Sequence, residues 1–320
     1  MIKYSVVKPL SLFLAWPRPL LACLTSALAL FAGNRAHAQE LEPRAYSPSP
    51  TGFNIFAVAF THNTGDLTFD PSLPITDASA KINLGALAYV RTLGIAGRSA
   101  NLGIALPYAR GNLEGLLLGD AVSAYRSGLG DPRVRLAINL RGAPAMTPKE
   151  FVARKPGATI VGASLVVSVP TGQYDSTKLV NIGNNRWGFK PEIGISRDFG
   201  RWTLEGAAGV WLFTENTNFY GGKTRSQEPI GSLQAHVIYT FKPRMWLAFD
   251  TNFYNGGRTS VDGVTKADLQ KNSRAGLTFA LPVTATQSLK ISYSQGAFTS
   301  VGADFKSIGV AWQVIWRDKR

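Results

Sequence analysis

The feature that most constrains this chain is a period-two alternation that recurs in short segments along almost its whole length. In RWGFKPEIGISRDFGRW at 186–202, Trp187, Phe189, Pro191, Ile193 and Ile195 share one parity. Gly188, Lys190, Glu192, Gly194, Ser196 and Asp198 share the other. Side chains of an extended strand point alternately to opposite faces, so this segment predicts a strand with one oily and one charged face. A soluble sheet would bury the oily face. A membrane barrel would give it to lipid and turn the charged face toward an aqueous interior.

Segments of this kind fall near 53–62, 81–92, 99–110, 132–141, 158–170, 187–198, 201–214, 229–241, 244–254, 273–282, 287–296 and 303–316. Each is close to the roughly 9–11 residues that a tilted membrane strand needs. Long polar links, such as GDLTFDPSLPITDASA and ENTNFYGGKTRSQE, alternate with tight turns such as Phe199-Gly200 and Lys242-Pro243. That alternation is expected when one rim faces the cell exterior and the other the periplasm. The fold predicted is all-β: an antiparallel transmembrane barrel of about 12 strands. One link breaks the pattern, because RGAPAMTPKEFVARKPG stands where a short turn belongs. Thr147-Pro148-Lys149-Glu150 offers an N-cap, a proline at the first helical position and an acid at the third, which predicts a short helix on the periplasmic rim.

The N-terminus reads as a secretory signal. Lys3, Lys8 and Arg18 precede the apolar run LLACLTSALALFA, and Ala36-His37-Ala38 supplies a small-x-small cleavage site before Gln39. The run is too short for a spanning helix and meets Pro17-Arg18-Pro19 when extended backwards. Cleavage between Ala38 and Gln39 would remove the single cysteine, Cys23, and with it disulfides, thiol catalysis and Cys-ligated metals. The domain plan is then a signal at 1–38, a periplasmic tail at 39–51, the barrel at 52–316 and a C-terminal tail at 317–320. The formal charge of +14 comes from 34 basic and 20 acidic residues. Loss of Lys3, Lys8, Arg18 and Arg35 with the signal leaves 30 against 20, or +10. For an exported chain, the anionic partners implied are outer-membrane lipid, lipopolysaccharide or a solute rather than nucleic acid.

Parity assigns the two faces of the wall. Leu233, Val237, Leu247, Phe249, Phe253 and Leu277 go outward, and Trp187, Trp202 and Trp316 sit at strand ends where aromatic girdles meet headgroups. The inward set predicted to line the lumen is Lys81, Arg91, Arg133, Arg135, Lys190, Glu192, Glu205, Gln234, His236, Asp250, Asn252, Arg274 and Lys290. Such charges either bias ion passage or pair across a plugged interior, and the sequence leaves both open. Pro191 cannot donate to a ladder, so FKPE predicts a bulge or a break in the wall, beside which a constriction is expected.

Catalytic chemistry finds little support. Mature His62 and His236 lie on different segments, no metal-ligand spacing is present, and no cofactor is implied. Gly222-Lys223-Thr224 lacks the first glycine of a phosphate loop, and Ser292-Tyr293-Ser294-Gln295-Gly296 lacks that of a nucleophile elbow. A barrel-scaffold lipid hydrolase would need a serine and histidine on the outer wall, whereas His236 has inward parity. A structural or adhesive barrel that transports nothing is the other alternative.

Six phrases carry a family resemblance: LEPRAYS at 41–47, SGLGDPR at 127–133, NLRGAP at 139–144, PTGQYD at 170–175, NIGNNRWGFKPE at 181–192 and YNGGRTSVDG at 254–263. Together they resemble the bacterial outer-membrane family labelled "MetA-pathway of phenol degradation". The last strand, IGVAWQVIW, is also similar to the C-terminal sorting signal read by the barrel assembly machinery. The resemblance implies a Gram-negative outer-membrane β-barrel that takes up aromatic compounds or their breakdown products, and with the residues of the inner face the leading expectation is passage of small hydrophobic or aromatic molecules, anionic ones included. It supplies no catalytic or ligand residues.

Overall fold

A computed structural model describes residues 41–69, 75–154 and 157–318. The signal segment and the Ala38–Gln39 cleavage point lie outside the described residues. In chain order the elements are β1 (Phe53–Thr68), β2 (Ile75–Ile95), β3 (Arg98–Leu117), β4 (Asp120–Leu129), β5 (Arg133–Arg141), α1 (Pro148–Ala153), β6 (Ile160–Ser168), β7 (Gly188–Phe199) and β8 (Trp202–Phe213). There follow β9 (Asn216–Phe219), β10 (Lys223–Gln227), β11 (Ile230–Lys242), β12 (Met245–Gly256), β13 (Thr259–Val261), β14 (Val264–Thr265), β15 (Gln270–Pro282), β16 (Gln287–Thr299) and β17 (Gly302–Arg317).

The wall is a closed antiparallel ring. β1 pairs with β17 from Phe53↔Arg317 to Thr68↔Gly302 and with β2 on its other side, so first and last strands join and no edge remains. β4 and β5 pair with successive stretches of the same strand, β3, and form one wall strand broken at Gly130-Asp131-Pro132. Counted so, the barrel has twelve strands, and they correspond to the twelve alternating segments of the sequence.

Tight turns at Ala96-Gly97, Gly200-Arg201, Pro243-Arg244 and 283–286 mark one rim, taken as periplasmic. Longer links mark the other, with Leu118-Gly119 and Ser300-Val301 as short exceptions. Between the third and fourth alternating segments, GNLEGLLLGDAVSAYRSGLGD at 111–131 has the length of a long link, but it folds as a hairpin, because Leu118-Gly119 supplies two positive-φ residues for a tight turn. Two outer links, 214–229 and 257–269, contribute β9, β10, β13 and β14 to a separate four-stranded sheet. The predicted helix is α1. Thr147 Oγ1 accepts the Glu150 N–H (3.3 Å), Glu150 Oε2 accepts the Thr147 N–H (2.7 Å), and these bonds hold the Glu150 carboxyl below its usual range.

Facing follows the predicted parity on β7, β11, β12 and β15. Ile193, Ile195, Leu233, Val237, Phe249, Phe253 and Leu277 are exposed, while Lys190, Glu192, Gln234, His236, Asp250, Asn252 and Arg274 are buried inward. A lipid-facing Lys or Arg near the midplane costs about 2–4 kcal/mol, which fixes the register. At the periplasmic end Trp202, Tyr239, Phe241 and Phe279 form a chain of edge-to-face rings, with centroids 4.8–6.5 Å apart.

Candidate functional site

The inner wall from β5 to β16 carries paired charge. Lys190 Nζ lies 2.8 Å from Glu192 Oε2, on the same side of the same strand. Asp250 accepts from Thr278 Oγ1 (2.6 Å) and meets His236 Nδ1 at 2.7 Å. Arg274 donates to Ser294 Oγ, the Phe305 carbonyl and Ser307 Oγ at 2.7–3.1 Å, and its N–H reaches Asn252 Oδ1. Lys290 Nζ sits 5.6 Å from the Trp246 ring centroid. Arg135 donates to Ser164 Oγ (3.3 Å).

The space between these residues is filled by the chain's own N-terminal segment. Residues 42–50 are all buried inside the barrel rather than lying as a tail in the periplasm. The reason is chemical: their polar groups find partners on the wall. Glu42 N–H donates to Gln234 Oε1 and Arg44 N–H to Glu205 Oε2 (2.5 Å). The Arg44 guanidinium reaches Thr240 Oγ1 (2.8 Å) over the Trp246 ring. At the base, Thr92 Oγ1 donates to the Pro50 carbonyl and Ser99 Oγ to the Ser49 carbonyl, tying the segment to the periplasmic turns.

Tyr46 is the central contact. Gly162 and Gly194 are register partners on β6 and β7, and a Cβ on either would come within about 2.2 Å of the Tyr46 ring. The next register pair, Ser164↔Glu192, takes the phenol: Tyr46 Oη lies 2.9 Å from Glu192 Oε1 and 3.1 Å from Ser164 Oγ. Two bare glycines thus make the flat of a socket and two polar residues its end, with Arg135 5.5 Å from the ring centroid. A cavity of about 10 Å³, roughly one water, remains among Glu42, Tyr46, Glu192, Glu205 and His236.

Eleven of the predicted lumen residues therefore face inward: Arg133, Arg135, Lys190, Glu192, Glu205, Gln234, His236, Asp250, Asn252, Arg274 and Lys290. Lys81 and Arg91 do not. On β2 the even residues Ala80, Ala88 and Val90 are buried, so the odd ones, Lys81 and Arg91 with Leu87 and Tyr89, face outward. Because both faces of this strand are apolar, its alternation carried no parity signal. Both charges sit toward strand ends, and Arg91 is paired with Asp318 and bonded to Asn54 at the periplasmic rim. Sequence reasoning missed Glu42, Arg44, Tyr46, Gly162 and Gly194. The available signal was LEPRAYS itself, polar and aromatic residues packed into a segment too short to fold alone.

At the outer end three of the shared phrases meet on one buried carboxylate. Asp131 accepts from Gly172 N–H (3.0 Å), Asn184 N–H (2.9 Å) and Asn184 Nδ2 (2.8 Å), which folds PTGQYD and NIGNN against the break in the wall strand. In the same loop the Asp175 carboxyl is held well below its usual range, first by the Thr177 hydroxyl and then by Lys178. Beside it, Arg133 lies 5.9 Å from the Trp211 ring and Arg186 lies 4.3 Å from the Phe213 ring. The two rings are nearly parallel, 6.1 Å apart.

This architecture is a closed, twelve-stranded antiparallel β-barrel of the outer-membrane type, with an apolar outer face and a charged inner one. Residues 60–314 match the family described as "Putative MetA-pathway of phenol degradation", and the chain belongs to that family. Among solved structures it is similar to the COG4313 outer membrane channel from Pseudomonas putida F1, at 20% identity and a TM-score of 0.72, covering 86% of this chain and 99% of that one. More distant barrels include the transport unit of the autotransporter AIDA-I from Escherichia coli (10% identity, TM-score 0.49, 95% and 99% covered). The CymD monoaromatic hydrocarbon channel is another (7%, 0.43, 85% and 90%). Those last two are too remote to bear on this chain. No curated protein matched the sequence.

Proposed function

We propose that the protein is an outer-membrane channel passing small hydrophobic or aromatic compounds, anionic ones among them, and that residues 41–50 keep its lumen shut until they are displaced. The observation that carries this reading is the nature of what fills the barrel. The obstruction is a chain segment held by hydrogen bonds and one tyrosine socket, entering from the periplasmic rim. Its removal would leave every wall strand paired. An aromatic solute is supported by the family description, which names a pathway of phenol degradation. Export by a signal cleaved after Ala38, insertion by the barrel assembly machinery, and contact with outer-membrane lipid and lipopolysaccharide belong to the same proposal. No residue is assigned a catalytic role.

Planar-bilayer recording tests it. The mature protein should pass little current, and a variant lacking 41–50 should conduct in discrete steps and admit small aromatic solutes to liposomes. A folded deletion variant showing neither conductance nor uptake would leave a closed, structural barrel as the better account.

A further inference from the structure

The row of Arg133, Trp211, Phe213 and Arg186 lies at the outer end, apart from the plug contacts described above. It is built from strand ends that neighbour one another: Arg133 is the register partner of Ser168, Ser168 of Gly188, and Gly188 of Phe213. All four positions lie at the outer end of the wall. Gly188 brings them close, since a Cβ there would be in contact with Ser168 Cβ and Trp211 Cζ3 at 3.4 Å and with Phe213 Cδ1 at 3.6 Å. Trp211 and Arg133 are almost wholly buried, and Val166, Ile230 and Tyr254 pack around the rings.

Arg186 Nη1 and Ser168 Oγ are buried here and make no hydrogen bond among the described residues. Arg186 is otherwise held in place, its other amino group donating to Gln227 Oε1, which is itself fixed by a bond from Gln227 Nε2 to the Gly257 carbonyl. A buried guanidinium keeps its proton at neutral pH, so a free Nη1 amounts to an unsatisfied positive donor. Burial, and then the nearby charge of Arg225, push the pKa of Arg186 down, and Asp131 offsets only part of this, so a bound anion would relieve the rest.

We infer that the outer end of the lumen is a binding site for an aromatic carboxylate. The carboxylate takes the free N–H of Arg186 and the Ser168 hydroxyl, and the ligand's ring lies against Phe213, the partly exposed ring of the pair. Planar carboxylate geometry suits a guanidinium, and an apolar ring suits the aromatic floor. This rests on the channel reading and sharpens it: the site would select solute at the mouth before the plug is reached.

The test is titration of the full mature protein in detergent with benzoate, acetate and benzyl alcohol, read by calorimetry and tryptophan fluorescence. Benzoate should bind saturably and at least about tenfold more tightly than either analogue, the margin of one charge-assisted hydrogen bond. Arg186→Gln should weaken benzoate about tenfold or more. Ser168→Ala, which alters one atom and leaves the wall intact, should weaken it severalfold. Phe213→Leu should weaken benzoate and leave acetate unchanged. Equal binding of acetate, equal binding of benzyl alcohol, or wild-type affinity in Ser168→Ala and folded Arg186→Gln would each overturn the site. Conductance is recorded on the same preparations with 41–50 deleted. A conducting channel that ignores benzoate defeats only the site, and a benzoate-binding barrel that never conducts defeats only the channel.

Discussion

Tyr46 shows how much a single side chain can decide in a barrel of this size. Its ring occupies the volume that two missing side chains leave on the inner wall, and its hydroxyl bonds a carboxylate already paired with Lys190. A hydrogen bond to a charged acceptor is worth about 1.5–3 kcal/mol, enough to bias a short segment inward by one to two orders of magnitude. Gly194→Val should expel the ring, because a Cβ at 194 meets Tyr46 Cε2 at 2.1 Å. The full-length variant should then conduct where the parent does not. Gly206→Ala is the matched control on the adjacent strand, with nothing closer than 3.8 Å to the added carbon. Silence of the Gly194 variant in bilayers, despite a folded barrel, would show that the segment stays in place without its socket.

At the scale of elements, the wall was legible because lipid enforces alternation wherever one face is oily and the other polar. β7, β11 and β12 follow that rule and were read with the correct facing. β2 fails it, its inner face being Ala80, Ala86, Ala88 and Val90, and there the charged end residues were assigned to the wrong side. Helix α1 was legible from its cap alone. The N-terminal segment was not, since its burial depends on partners more than a hundred residues away, such as Ser164 and Glu192. Pro191 lies between. The break predicted at FKPE exists, but as a gap rather than a bulge. Pairing of β7 with β8 resumes from Phe189↔Leu212 to Glu192↔Gly209 without a shift in register. The Pro191 carbonyl points at Gly209, so the missing donor faces β8 as well. Pro191→Val should restore one ladder bond on a lipid-facing position. It should stabilise the barrel by about 1 kcal/mol, measured as later unfolding in heat-modifiability gels. Earlier unfolding would mean that the gap relieves strain between β7 and β8.

For the molecule as a whole, the balance of inner charge sets what an opened barrel would carry. Arg44, Arg133, Arg135, Lys190, Arg274 and Lys290 face Glu42, Glu192, Asp198, Glu205 and Asp250, while Arg186 and Asp131 offset each other at the outer end, so cations exceed anions across the lumen by six to five. Taking out 41–50 removes Arg44 and Glu42 together and preserves the excess. A pore lined by positive side chains favours anions, and in a narrow lumen of low dielectric the preference outlasts moderate salt. The deletion variant should therefore show, in a KCl gradient, a reversal potential favouring chloride. Lys190→Glu and Arg274→Glu in that background should each move it toward potassium. The two need not act alike. Lys190→Glu sets two carboxylates side by side with Glu192, where one tends to take up a proton and blunt the change. Arg274 is held by two hydroxyls and a carbonyl, so its reversal should register in full. Unchanged selectivity in both, with conductance intact, would mean that ions pass the barrel by a route these residues do not line.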